Sequence, residues 1–249
     1  MATTAATPRP GARSESAAAK ARRARGERTH QTILEVAVDV ASAEGLEGLT
    51  IGRLASALSM SKSGLFAHFG SKEELQLATV EAAREIFIRE VVRPAFEAER
   101  GLRRLWNLCD VWLGYVEGEV FRGGCFFAAA AAEFDSRPGP VRDRVAEIMR
   151  EWLATLRRAV AEARAGGQLN EDADPAQLAF ELNALEMGAN WAYQLHGDRQ
   201  AFARAREAVV ERLRRDATPG GLNLLPPRGK KRPGRALRVR VRTKKNERS

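Results

Sequence analysis

Apolar positions recur every three or four residues along almost the whole chain, a spacing that predicts helices and little else. Ile33, Leu34, Ala37, Val38 and Ala41 make one stripe, from about Glu27 to Ala43, ended by Gly45 and Gly48. Ile51, Leu54, Ala55 and Leu58 make a second, short helix with Thr50 as its cap, and Ser59-Met60-Ser61 interrupts it. Ser61 caps a third helix over Lys62 to Phe69. Leu65, Phe66 and Phe69 are assigned inward, and Lys62, Ser63, Gly64, Ala67 and His68 outward. Ser71 with Glu74 reads as a capping box opening a long helix through Leu75, Thr79, Ala82, Ile86 and Val91, which Pro94 stops or bends. Glu85 and Arg89 stand four apart on its surface, a favourable pairing distance.

The second half is also helical. Leu102, Leu105, Trp106, Cys109, Trp112, Leu113 and Val116 keep three-four spacing to about residue 118. Gly123-Gly124 precedes a short Phe- and Ala-rich helix through Phe134, and Arg137-Pro138-Gly139-Pro140 is a break. Val141, Val145, Ile148, Met149, Trp152, Leu156 and Val160 form a long helix closed by Gly166-Gly167. Asp174-Pro175 with Gln177 supplies a cap, a first-turn proline and a box partner for the next helix. That helix carries two stripes, Leu178, Leu182, Leu185 and Ala189 on one side and Phe180, Ala184, Met187, Trp191 and Leu195 on another. A single face cannot bury both. Gly197-Asp198 leads to a last helix with Phe202, Ala205, Val209 and Leu213, ending near Arg214. Residues 216–229 read as a Pro/Gly linker, and the alternation at Arg238 to Arg242 is too charged to pair comfortably as a strand.

Two short helices across a tight polar turn, the second with a small outer face free of acidic residues, suit a DNA major groove. Lys62 can donate to guanine or phosphate, Ser63 can bond either way, and Gly64 and Ala67 permit close approach. The segment from Leu49 to Phe69, with its Leu-aromatic-x-His-Phe ending and the following Ser71-Lys72-Glu73-Glu74-Leu75, resembles the helix-turn-helix of the tetracycline-repressor (TetR) family. Ser59 stands where that family usually has a turn glycine, and Ser63-Gly64 replaces its common Gly-Thr or Pro-Thr pair.

The resemblance implies an all-α fold, an N-terminal three-helix DNA-binding domain plus a C-terminal helical domain for ligand binding and dimerisation. It implies phosphate contacts from Thr50, Ser61, Phe66, His68 and Lys72, a homodimer, and a repressor role. The domains are then a flexible basic arm over 1–25, the DNA-binding unit over 26–71, the effector and dimerisation domain over 72–215, and a linker with a basic disordered tail over 216–249. Self-association is expected through the helices at about 174–196 and 198–214, on a near-palindromic operator in double-stranded DNA. Trp106, Cys109, Trp112, Phe126, Phe127, Phe134, Met149 and Trp152 either line a cavity for a small apolar effector or are plain core.

Charge sharpens this picture. The net +9 is uneven: residues 226–249 hold +10 and residues 1–28 hold +5, leaving −6 for residues 29–225. The body is not basic, and Arg53, Lys62 and Lys72 are the cations within the helix-turn-helix. The basic ends are either solvated or a source of non-specific phosphate attraction, and a general nucleic-acid-binding protein driven by them is the alternative function. Two cysteines, Cys109 and Cys125, sit in apolar segments as buried reduced thiols of a cytoplasmic protein, or as a regulatory disulfide. No cofactor, metal-ligand spacing, membrane span or catalytic constellation is apparent, and His30, His68 and His196 lie far apart in sequence, so an enzyme such as a helical transferase is the least favoured reading.

Overall fold

Alanine and arginine are strong helix formers, and in the computed structural model, which describes residues 17–227, they carry the first helix back to Ala17. α1 (Ala17–Glu44) therefore takes in residues 17–25 of the expected flexible arm, with Lys20, Arg22, Arg23, Arg25 and Arg28 exposed along its first turns. Residues 1–16 of the arm, the basic tail over 228–249 and the Arg238 to Arg242 alternation lie outside the described residues.

α2 (Ile51–Leu58) and α3 (Lys62–Phe69) begin where their caps are. Thr50 Oγ1 accepts the Arg53 amide and Ser61 Oγ the Gly64 amide, each at 3.1 Å. Between them Ser59 takes the left-handed conformation, φ 54° and ψ 38°, which costs a residue with a Cβ about 1 kcal/mol. Leu54, Leu65, Phe69 and Leu75 are buried with Ile33, Ala37 and Val38 of α1, so α1 to α3 share one core.

α4 (Lys72–Phe87) starts at Ser71, whose Oγ accepts the Glu74 amide at 3.1 Å. It passes into a π turn, Ile88–Val92, and one more α turn, α5 (Arg93–Phe96). Pro94 has no N–H for the carbonyl four residues back. The backbone ahead of it widens, and the Arg93 amide reaches the Ile88 carbonyl instead. Along this turn Arg89 pairs with Glu90 at 2.8 Å, in place of the expected pairing with Glu85.

The second half consists of α6 (Leu102–Glu117), α7 (Phe126–Phe134), α8 (Pro140–Ala165), α9 (Pro175–His196) and α10 (Gln200–Asp216). α9 packs on α8, α10 and α6, while α4 lies along both α1 and α8 and so joins the two halves. Asp174 Oδ1 caps α9 by accepting the Ala176 amide at 2.8 Å. Gln177 bonds Glu181 at 2.9 Å rather than closing a box with Asp174.

Part of the expected linker is folded. Thr218-Pro219 is a cap followed by a first-turn proline, and α11 (Pro219–Leu222) forms there, Thr218 Oγ1 accepting the Gly221 amide at 3.1 Å. A Cβ on Gly221 would collide with the Gln168 carbonyl, so only glycine lets this turn sit on the body. Leu225 is buried behind it. Leu169 and Ala217 form an isolated antiparallel bridge, and there is no named strand among the described residues. None of the described helices is long and apolar enough to cross a membrane.

Candidate nucleic-acid interface and effector domain

Along α3, Leu65 and Phe69 lie four residues apart and take the inner face. Lys62, Ser63, Phe66 and Ala67 are exposed and Gly64 is half-exposed. Phe66 is 53% exposed, which corrects its inward assignment: one residue past Leu65, it is rotated by about 100° from the buried side. His68 is half-buried. Its ring lies 6.0 Å from that of His30 on α1, and His30 stacks on Phe69 at 5.0 Å, so His68 sits at the seam between α1 and α3. Thr50 and Ser61 are exposed while their hydroxyls serve as caps.

Two of the three cations in this unit are already engaged. The Arg53 guanidinium grips Glu44 through contacts of 2.8 and 2.5 Å, and Lys72 Nζ meets Glu47 at 2.6 Å. The Arg53 hydrogen bond holds the Glu44 carboxyl below the usual range, and the Lys72 hydrogen bond does the same for Glu47. Lys62 has no ion-pair partner among the described residues. It is the unit's uncommitted long cation, standing at the first position of α3 beside the half-exposed Gly52 of α2.

The helix-turn-helix is tied to the second half chiefly through α4 and through the region of α7, where Arg137 also pairs with Glu47 at 3.7 Å. α4 forms the first tie, clamped to α8 by Arg84 and Glu151 at 2.8 Å and by Arg144, which bonds Glu81. The second tie is made by the α6–α7 connection and α7. Glu133 accepts the amides of Leu46 and Glu47, each at 2.8 Å, and Arg122 forks onto Asp39 at 2.9 and 2.7 Å. A Cβ on Gly123 would run into the Ser42 carbonyl, so the two backbones touch there. Nothing in the local sequence pattern marks Glu133, because its partners are 86 and 87 residues away.

Inside the second half, Trp106, Cys109, Trp112, Phe126, Phe127, Phe134 and Trp152 are all buried. Phe87, at the end of α4, meets Tyr115, Phe127 and Trp152 edge-on at 5.8, 5.9 and 5.3 Å. Phe134 stands apart, under the Arg137 guanidinium at 5.8 Å. Met149 is half-buried and lines a cleft of about 490 Å³ between α7, α8 and α9, with Ala128, Met187, Asn190, Trp191 and Leu195. Both cysteines are buried and free. Burial pushes the Cys109 thiol well up and the Cys125 thiol to about 11, far from the range of a reactive thiolate.

Glu186 is a buried ionisable residue that the helical pattern does not single out. It lies on the buried side of α9 between Leu182 and Ala189 with no exposure, and burial pushes its carboxyl up to about 8. Trp152 Nε1 donates to Oε2 at 3.3 Å, the Cys109 thiol also bonds the carboxyl, and Oε1 receives no well-formed hydrogen bond. A carboxylate inside an apolar stripe was the available signal. On the opposite side of α9, Phe180, Trp191 and Leu195 are 65%, 60% and 63% exposed, so the second stripe is uncovered in the single chain. The apolar stripe of α10, by contrast, is spent inward: Phe202, Ala205, Val209 and Leu213 are buried.

Comparison with known proteins agrees with this architecture. Residues 33–79 match the family described as bacterial regulatory proteins, tetR family, and residues 101–209 match the tetracyclin repressor-like C-terminal domain. The chain is 28% identical over 195 residues to the HTH-type transcriptional regulator TcmR of Streptomyces glaucescens, covering 75% of this chain and 83% of that one. It is 22% identical over 184 residues to the HTH-type transcriptional repressor DhaR of Mycobacterium sp. (strain GP1), covering 74% and 91%. A TetR transcriptional regulator from Chloroflexus aurantiacus has the same fold, with a TM-score of 0.73, 24% identity and coverage of 78% of this chain and 98% of that chain. With its helix-turn-helix and its helical second half both matched, the chain belongs to the TetR family of DNA-binding transcriptional regulators.

Proposed function

We propose that this regulator is a sequence-specific repressor that acts as a homodimer and leaves a near-palindromic operator when a small, largely apolar effector binds. The observation carrying this reading is the outward face of α3, where Lys62, Ser63, Phe66 and Ala67 stand free while Leu65 and Phe69 anchor the helix from behind. Lys62, Ser63, Gly64 and Ala67 face base edges, and Thr50, Ser61, Phe66, His68 and Lys72 lie along the phosphates. Lys72 reaches a phosphate by releasing or sharing Glu47. The basic first turns of α1 add attraction that carries no sequence information.

One eight-residue helix offers too few contacts for tight specific binding, so two heads are required. The uncovered stripe of α9 supplies the apolar seam of a two-fold interface, with the polar outer face of α10 as its margin. Effector and DNA then favour different spacings of the two heads and weaken one another by the same factor. The test is to select bound fragments from genomic DNA and compare them with random duplex at moderate salt, before and after Lys62→Ala. A preference that the substitution removes supports the reading. Equal binding to both duplexes from the start favours a general nucleic-acid-binding protein.

A further inference from the structure

We propose that Glu186 is the recognition group of a buried site that takes a protonated amine carried on a flat apolar frame. This deepens the effector reading above and rests on it. Glu186 is wholly buried with Trp152 and the Cys109 thiol as polar neighbours of its carboxyl, yet Oε1 itself receives no well-formed hydrogen bond, and Asn183 Oδ1, one turn earlier on α9, is likewise a buried atom without a partner. Leaving such an atom unpaired in the interior is costly, so a pair of them is a standing demand for partners. Asn183 Oδ1 is an acceptor, and Glu186 Oε1 becomes one when the acid gives up its proton, so the pair selects a ligand rich in N–H.

The carboxyl is also aimed. Trp152 Nε1 fixes Oε2 at 3.3 Å, so Oε1 cannot turn away to share that donor. Trp152 belongs to the edge-to-face group around Phe87, which offers aromatic surface for an apolar frame and for a cation. The entry we assign is the cleft between α7, α8 and α9, whose wall adjoins Glu186 and Trp152 along the chain without including them. Its lining residues Met187 and Asn190 are the next residue and the next turn after Glu186, and Met149 is one turn before Trp152. Two flexible methionines line that cleft, and a ligand passing from it to the carboxyl displaces them. A neutral acid is tolerated in this core, and an arriving ammonium gives the ionised form a partner.

Phe87 connects the site to the DNA. It ends the helix that begins at Lys72 and precedes the π turn, so a ligand wedged against Trp152 displaces the far end of α4.

The test uses the full chain free of DNA and titrates it by calorimetry with 2-phenylethylamine, tryptamine and 9-aminoacridine. Phenylacetate and indole-3-acetate are the charge-reversed controls. At least one amine is expected to bind at least tenfold more tightly than the carboxylates, and to lose at least tenfold in Glu186→Gln, which keeps the shape of the side chain. Trp152→Phe, which removes the aiming donor, is expected to weaken the same amine. Circular dichroism and DNA binding of both variants confirm that they are folded. Failure of all three amines to bind, or binding unchanged in Glu186→Gln, overturns the proposal while leaving DNA recognition untouched. Release of operator DNA by the amine is measured separately, so a bound amine that does not release DNA counts against the effector reading and not against the site.

Discussion

The carboxylate of Glu133 on α7 accepts the amide of Leu46, 87 residues away, at 2.8 Å, and with its other oxygen accepts the amide of Glu47. One side chain of the second half thus closes the turn that leads into α2. Glu133→Ala removes two charge-assisted bonds and leaves two amides to water or to nothing, a loss of about 1–2 kcal/mol at this half-exposed position. Hydrogen exchange is expected to accelerate at Leu46 and Glu47 while the amides of α4 keep their protection. Uniform acceleration across the head would show that Glu133 is not a local clasp.

Ser59 holds a left-handed conformation that glycine adopts without strain. Ser59→Gly is therefore expected to stabilise the chain by about 0.5–1 kcal/mol. A urea midpoint that moves upward at constant slope checks it. A lower midpoint would mean that the serine side chain makes a compensating bond.

Glu186 predicts a pH dependence whose sign is fixed. Its carboxyl rises from 4.5 to about 8 on folding, so the folded chain binds more protons than the unfolded chain between those values. Stability accordingly falls as pH rises from about 4.5 to about 8, by at most about 1.4 kcal/mol per pH unit from this group, and its contribution is flat above. Glu186→Gln should remove that slope. Parallel stability curves for the two proteins between pH 5.5 and 8 would contradict it.

The exposed stripe of α9 predicts that Trp191→Asp places a charge in the centre of the seam between two copies. Light scattering on the eluting protein is expected to drop from the mass of two chains to that of one, with helical content unchanged. A wild-type mass of one chain would remove the proposed seam altogether.

Much of this architecture was legible in the chain because helix periodicity, caps and breaks are local. The stripes, the Ser71 and Asp174 caps and the doubled apolar content of α9 all reappear in the structure. Hydrophobicity alone turns Phe66 inward, but on a two-turn helix Leu65 and Phe69 already fill the inner face and Phe66 faces out. The pairing of Arg53 with Glu44, of Lys72 with Glu47 and of Glu133 with the Leu46 turn depends on tertiary placement, which spacing does not encode. The aromatic residues of α6 and α8 show a related limit. Periodicity places Trp112 and Trp152 inside, yet says nothing of whether they meet a void or one another, or of the Glu186 carboxyl that Trp152 meets on α9.

Two reading heads on one operator are the heart of the proposed mechanism, and half-site scrambling tests them most directly. The affinity for a selected duplex is measured at 150 mM salt against the same duplex with one half-site randomised. Loss of a whole head's base contacts predicts a fall of at least a hundredfold, since each mismatched pair costs about 1–3 kcal/mol. Equal affinity for the intact and half-scrambled duplexes would contradict recognition by a pair of α3 helices.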